Sequence, residues 1–184
     1  MASEEPGEVS FPPEGPEFLL VRPVSDSPPE AVITRADGGS FEPELMAYVW
    51  AVDGELVKQQ PPNPVVWPTP QGPLKGATLS FGHVASPWEV DMRVFRGGLG
   101  ADGVPSSEPK IVTICDQSVG SRLPCRDDDG WSRAFKIPEA ADSRDFSPYV
   151  VVFAQWSVLP SDGPRLGIDE PPPNFTASWI LRTR

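Results

Sequence analysis

Apolar and polar residues alternate with a period of two along much of the chain. From Ala77 to His83 every second residue is apolar or aromatic, and from Trp88 to Val94 apolar residues alternate with charged ones. This period places successive side chains on opposite faces of a β-strand, with one face in the core and the other in water. Such one-sided strands are typical of antiparallel sheets. The pattern therefore predicts that Glu89, Asp91 and Arg93 face solvent.

The longest apolar run extends from Tyr149 to Leu159 and is rich in β-branched and aromatic residues. Turn-forming residues precede it at 145–148 and follow it at 160–164. A run of this kind is typical of a strand that is buried on both of its faces. We therefore expect it to lie at the centre of a sheet.

Further strands complete an all-β prediction. Asp53 and Gly54 separate two apolar runs, which is a strong signal for a hairpin with a type I′ turn. The other predicted strands are Phe18–Val24, Ala31–Thr34, Ile111–Cys115, Trp131–Ile137, and a last strand with Phe175, Ala177, Trp179 and Leu181 on one face. A short helical turn is expected at 139–142. Residues 17–184 are thus predicted to form one antiparallel β-sandwich with long Pro- and Gly-rich loops.

Two stretches are poor candidates for regular structure. Residues 1–16 carry four Glu and four Pro without a basic residue, so they are expected to form a flexible acidic tail. Such a tail often tethers a secreted or lipid-anchored domain, although a frayed terminus is the simpler interpretation. Residues 61–73 hold six prolines and cannot form a continuous ladder, so they predict a linker or an extended edge segment. Within them, Trp67 either caps the core or is held out as a ligand platform.

Composition and charge narrow the classes of partner. The 25 prolines and 16 glycines make up less of the 184 residues than the share of about a quarter at which low-complexity disorder is expected. We therefore expect folded strands joined by Pro-rich loops. A formal charge of −11 disfavours nucleic acid and anionic membranes as partners. No apolar run is long enough for a transmembrane helix, and the sequence does not open with the basic-then-apolar pattern of a signal peptide. Met1 is either a natural start or an initiator placed on a mature chain whose leader was removed.

Cys115 and Cys125 are the two cysteines of the chain and lie near each other in sequence. A disulfide between them is the preferred interpretation, and it places the protein in an oxidising, extracytoplasmic compartment: secreted, periplasmic or on the cell surface. Free cytosolic thiols are the alternative. A zinc site is not expected because the chain has one histidine and no paired cysteine motif.

Candidate catalytic and metal residues give weak signals. Asp127 to Asp129 are consecutive, whereas calcium loops place carboxylates at alternate positions, so a solvated acidic turn is favoured over a calcium site. The single His83 lies in register with a core face, which favours a structural role over a catalytic one. Asn174 fits a glycosylation sequon, but so short a pattern often arises by chance. We expect no enzymatic activity, no cofactor and no metal.

One segment resembles a known family. Asp145, Ser147 and Tyr149 stand at alternate positions before a buried strand, and Trp88 lies on an earlier strand. This arrangement resembles the tyrosine corner and core tryptophan of immunoglobulin-like domains. The resemblance implies adhesion, binding or scaffolding roles. It also implies that Tyr149, Val151 and Phe153 face the core and that Trp156 turns outward.

Two functions are consistent with these patterns. The first is a non-catalytic extracytoplasmic interaction or structural module with a protein or glycan partner. The alternative is a carbohydrate-binding module or glycan-acting enzyme. That alternative requires Trp67, Trp156 and an acidic loop to line one groove.

Overall fold

The computed structural model describes residues 27–52, 55–82, 87–117, 123, 125–127, 130–131, 134–142, 148–156 and 175–184. Within this part of the chain the structure is built from β-strands and one 3-10 turn at Glu139–Asp142. The predicted tail at 1–16, the predicted strand Phe18–Val24, and the residues His83, Asp128, Asp129 and Asn174 lie outside the described residues.

Twelve strands form two principal antiparallel sheets and one short ribbon. In chain order they are β1 (Ala31–Thr34), β2 (Ser40–Phe41), β3 (Glu44–Val52), β4 (Glu55–Gln59), β5 (Thr78–Phe81), β6 (Glu89–Val94), β7 (Lys110–Asp116), β8 (Arg126–Asp127), β9 (Gly130–Trp131), β10 (Ala134–Lys136), β11 (Tyr149–Trp156) and β12 (Phe175–Arg182).

The smaller sheet has the strand order β10-β5-β1-β2, and the larger has the order β4-β3-β12-β11-β6-β7. Strands β8 and β9 pair with each other. All of these pairings are antiparallel. The predicted all-β, antiparallel sandwich is confirmed.

The hairpin predicted around Asp53 and Gly54 is also confirmed. Strands β3 and β4 pair from Val52 opposite Glu55 to Tyr48 opposite Gln59. The two turn residues themselves lie outside the described part of the chain.

The core lies between the two sheets. Residues that alternate along β5, β6 and β12 are buried on the inner side, as the sequence pattern predicts: Leu79, Phe81, Val90, Met92, Val94, Phe175, Ala177, Trp179 and Leu181. Aromatic contacts connect the sheets, because the ring of Phe81 lies 5.5 Å from that of Trp156 and 5.4 Å from that of Trp179. Contacts of this kind define face-to-face packing.

Strand β11 occupies the predicted central position and is flanked by β12 and β6. Its inward residues are Val150, Val152, Ala154 and Trp156, each at most 1% exposed. The parity implied by the immunoglobulin resemblance is therefore wrong for this strand. Tyr149, Val151 and Phe153 point to the outer side, because burial of the Trp156 indole in the inner layer selects the even positions.

The predicted disulfide is present between Cys115 and Cys125. Both cysteines are buried in the core. Cys115 lies near the end of β7, opposite Val90 of β6. The backbone N–H of the next residue, Asp116, donates to the carbonyl of Leu123 at 2.7 Å. The bond therefore attaches the segment around residues 123–125 to the outer edge of the larger sheet.

Replacing both cysteines by alanine should lower the free energy of unfolding by about 3 kcal/mol, because the bond closes a loop with a sequence separation of 10. Denaturant titration followed by circular dichroism measures the loss. Reducing the wild-type protein serves as the control and should give a similar shift. A loss below about 1 kcal/mol would show that the unfolded chain gains little freedom when the bond is absent.

Candidate functional site

The outer face of the six-stranded sheet is the side turned away from the smaller sheet. Part of this outer face is covered by residues 61–73 and by the loop after β6. A second apolar cluster forms under this cover from Val65, Phe95, Val151 and Ile180, against which Met46 and Trp67 pack. The rest of the outer face carries no described covering segment.

The covering segment is fixed to the loop after β6 by two hydrogen bonds. The backbone N–H of Val65 donates to the carbonyl of Asp102, and the Trp67 indole Nε1 donates to the carbonyl of Gly103, both at 2.8 Å. Gly103 has φ of +76° and lies so close to Val65 that a Cβ there would overlap the Val65 carbonyl. Only glycine fits this approach.

Beside the covered part lies a groove of about 330 Å³. Its floor is the open sheet surface with Val49 of β3, Thr176 and Ser178 of β12, and Phe153 of β11. Gln60 stands on one side of the groove, and Arg93 of β6 on the other. The volume falls at the lower end of the range of small-ligand sites, about 300–1,000 Å³.

Arg93 lies over the aromatic ring that forms part of the groove floor. Its guanidinium carbon is 4.6 Å from the centroid of the Phe153 ring, which is cation–π geometry. The Nε of Arg93 is buried and has no hydrogen-bond partner among the described residues. The groove is thus bordered by an arginine whose buried Nε is not hydrogen-bonded within the described chain.

Next to the groove, three carboxylates form what we call the acidic row: Glu89, Asp91 and Asp116. Register places Asp91 between Phe153 of β11 and Thr113 of β7, and Glu89 opposite Asp116. Asp91 was predicted to face water, and this prediction is wrong because its side chain is only 5% exposed. Its Oδ1 has no hydrogen-bond partner in the described part of the chain.

Crowding of negative charge changes the titration of Glu89. Partial burial, the charge of Asp91, a side-chain hydrogen bond to Asp91 and the charge of Asp116 together raise the pKa of Glu89 above its ordinary value of 4.5. The positive charge of Arg93 acts in the opposite direction. Burial of the carboxyl is the largest of these causes, and the neighbouring negative charges add to it.

The sequence-predicted ligand platform is not assembled. Trp156 is 1% exposed and packs edge to face against Trp50 at 5.2 Å, so its proposal as an exposed platform is wrong. Trp67 instead caps the second apolar cluster, with its ring 4.8 Å from that of Tyr149. The structure places Trp156 in the core and Trp67 on the outer face, so they do not line one groove.

Among the described residues, no group of three or more His, Cys, Asp or Glu side chains is arranged to hold a metal ion. Of the candidate calcium residues, the backbone of Asp127 belongs to β8, whereas Asp128 and Asp129 fall outside the described ranges. The sequence pattern did not predict the groove or the burial of Asp91. One indication of a polar site was present in the sequence, because Glu89, Asp91 and Arg93 share one face of a predicted strand.

Gly103→Ala should destabilise the protein by about 1–2 kcal/mol or more, because alanine opposes positive φ and its Cβ would collide with Val65. The amide of Val65 should then exchange faster with solvent, as measured by hydrogen–deuterium exchange. Gly98→Ala is the matched control in the same loop, since its Cβ would meet nothing within 4 Å. Equal effects of the two variants would contradict the close-approach explanation.

Glu89→Gln should stabilise the protein at neutral pH and have little effect in acid. A carboxyl group whose pKa is raised on folding contributes stability below its ordinary pKa of 4.5, and that contribution is lost as the pH rises through the raised value. Thermal unfolding measured from about pH 3.5 to about pH 7 should give similar midpoints for the two proteins in acid. The midpoint of the variant should exceed that of the wild type by an increasing amount as the pH rises. The exposed Glu42→Gln substitution is the charge-matched control. If both variants gave the same dependence of stability on pH, the effect would come from net charge and not from the surroundings of Glu89.

Comparisons with protein-family models, with curated proteins and with solved structures find no match to this chain. The immunoglobulin-like subtype therefore stays a prediction from the sequence. The groove and the acidic row adjoin on the outer face of the six-stranded sheet.

Proposed function

We propose that this protein is a non-catalytic extracytoplasmic binding module that holds an extended segment of a partner protein in the groove on its six-stranded sheet. The observation that carries this proposal is the open sheet surface beside Arg93, whose buried Nε lacks a hydrogen-bond acceptor. A polypeptide segment supplies carbonyl acceptors at regular intervals along its backbone. Such a segment can therefore place a carbonyl group next to the Arg93 guanidinium at the side of the groove.

The groove chemistry supports a polypeptide ligand. Its floor alternates small hydroxyl side chains, Thr176 and Ser178, with apolar surface from Val49 and Phe153. Ser178 Oγ donates to the carbonyl of Ala47 on the neighbouring strand, so this hydroxyl is already satisfied within the sheet. An alternating ligand strand presents both apolar and polar side chains to such a floor.

An oxidising compartment is supported by the Cys115–Cys125 disulfide, since such bonds persist mainly outside the cytosol. In the described part of the chain no helix is long and apolar enough to cross a membrane. Extracytoplasmic placement as a secreted or surface-anchored module is supported by the disulfide.

The carbohydrate alternative finds less support in the groove. Sugar binding generally uses an aromatic face that is free to stack on the ring, and here the Phe153 ring is covered by the Arg93 guanidinium. Trp156 is in the core, and the Trp67 indole is engaged by Gly103 and Tyr149. A polypeptide partner therefore fits the described side chains better.

Selection from a random peptide library displayed on phage tests the proposal. Peptides of about ten residues, long enough to cross several strands, are selected on the wild-type protein and counter-selected on Thr176→Tyr, which places a bulky ring in the groove. Enriched peptides should bind the wild type and lose at least about tenfold in affinity for Thr176→Tyr, a difference near 1.4 kcal/mol.

Thr78→Tyr is the matched control. Thr78 is also a half-buried strand threonine, but it lies in the smaller sheet opposite Thr34 and Lys136. Binding should be unchanged in this variant. Equal losses in both variants, or no enrichment over the counter-selected pool, would refute the groove as a peptide site. Saturable binding of a glycan panel that is lost in Thr176→Tyr would instead establish the carbohydrate alternative.

A further inference from the structure

The groove contains a pair of small side chains from neighbouring strands. Ala47 of β3 and Ser178 of β12 lie opposite each other, and both line the groove. The much larger Phe153 is the neighbour of Ser178 on the other side, on β11, and it also lines the groove. Because two small residues lie beside a large one, the sheet surface has a depression above Ala47 and Ser178, which we call the notch.

The notch has apolar surroundings. Val49 of β3 and Val151 of β11 line the same groove. Met46 and Val151 belong both to the groove and to the second apolar cluster, so the apolar surface of that cluster continues into the groove. The Ser178 hydroxyl donates its proton to the carbonyl of Ala47 at 3.3 Å. An apolar ligand group therefore matches the notch better than a polar one.

The chain itself shows how this face of the sheet holds an extended segment. Side chains of the covering segment alternate, because Val65 is 8% exposed, Val66 is 70% exposed, and Trp67 packs again on the second apolar cluster. Beneath this cover, Ile180 of β12 is 2% exposed, whereas Ser178, two positions earlier on the same face, is half-buried. The notch is therefore the next position along β12 beyond the part that alternate apolar side chains already cover.

We propose that the partner segment places one large aliphatic or aromatic side chain, which we call the anchor, in the notch against Val151 and Phe153. This inference rests on the proposed function and specifies the partner as a protein with an extended segment that carries such a residue. Side chains of an extended segment alternate between its two faces. The residues on either side of the anchor therefore point away from the sheet, as Val66 does in the covering segment.

Burial of the anchor is the source of selectivity in this proposal. The free energy gained when a side chain leaves water grows with the apolar area that is buried. Alanine buries much less apolar area than leucine or phenylalanine and would leave the notch partly empty. A segment with alanine at this position should therefore bind about tenfold more weakly or worse.

Peptides selected by phage display on the full chain, and counter-selected on Thr176→Tyr, test the inference. Enriched sequences should share one large aliphatic or aromatic residue at a fixed position. Replacing that residue by alanine should weaken binding to the wild type by about tenfold or more, as measured by fluorescence anisotropy. We call the ratio of these two affinities the anchor preference.

Two matched serine variants locate the effect. Ser178→Ile fills the notch with a residue that suits a strand, so the anchor preference should fall to about twofold or less. Ser80→Ile is the control, because Ser80 is also a half-buried strand serine whose Oγ donates to a cross-strand carbonyl, that of Val32, but it lies in the smaller sheet. This variant should keep the full preference. If Ser178→Ile does not fold by circular dichroism, Ser178→Val, which adds less volume, decides.

The outcomes separate this inference from the proposed function. Enriched peptides without a shared large apolar residue, or an unchanged anchor preference in the Ser178 variant, would overturn the notch and leave the groove as a peptide site. Equal loss of preference in Ser80→Ile would also overturn it, because a general effect of the substitution would then explain the result. Failure to enrich any peptide would overturn both proposals.

Discussion

Three tryptophans from neighbouring strands pack edge to face between the two sheets, and this aromatic layer fixes which side of each strand is core. Trp50 of β3 and Trp156 of β11 lie 5.2 Å apart, and Trp156 lies 6.5 Å from Trp179 of β12. Phe81 of the smaller sheet completes the layer. Because side chains alternate along a strand, burying these rings inward sends Phe153 and Thr176 outward. The groove is therefore a consequence of the core.

The outer face of the six-stranded sheet carries charged side chains with buried polar atoms. Asp91 and Arg93 each hold a buried polar atom without a hydrogen-bond partner among the described residues, and they stand on the same face of β6. Natural folds satisfy most buried polar atoms, and exceptions often have a functional reason. Such atoms occur on four described residues, Arg35, Asp91, Arg93 and Gln117, and two of these, one anionic and one cationic, share one strand face beside the groove. Their proximity supports the proposal that this surface binds a partner.

Much of the fold could be predicted because periodicity depends on local sequence alone. The alternation from Trp88 to Val94 identified the inward residues of β6, and the apolar run after Tyr149 identified the central strand. The site could not be predicted in the same way. Whether the Asp91 side chain is exposed to solvent depends on its neighbours Phe153 and Thr113 on other strands. The spacing of residues along the sequence does not show which residues become neighbours across strands. The immunoglobulin resemblance gave the wrong parity for β11, because a short motif does not encode packing in the opposite sheet.

The disulfide has a further effect at the border of the larger sheet. Strand β7 is the last strand on that side, and the unpaired backbone groups of a terminal strand can recruit strands from other molecules. The hydrogen bond from Asp116 to Leu123 and the bond from Cys115 to Cys125 occupy the end of β7 with the chain's own residues. By the same reasoning, reduction of the disulfide would free this end of β7, and more of its backbone N–H and C=O groups would be open to pairing with strands of other molecules.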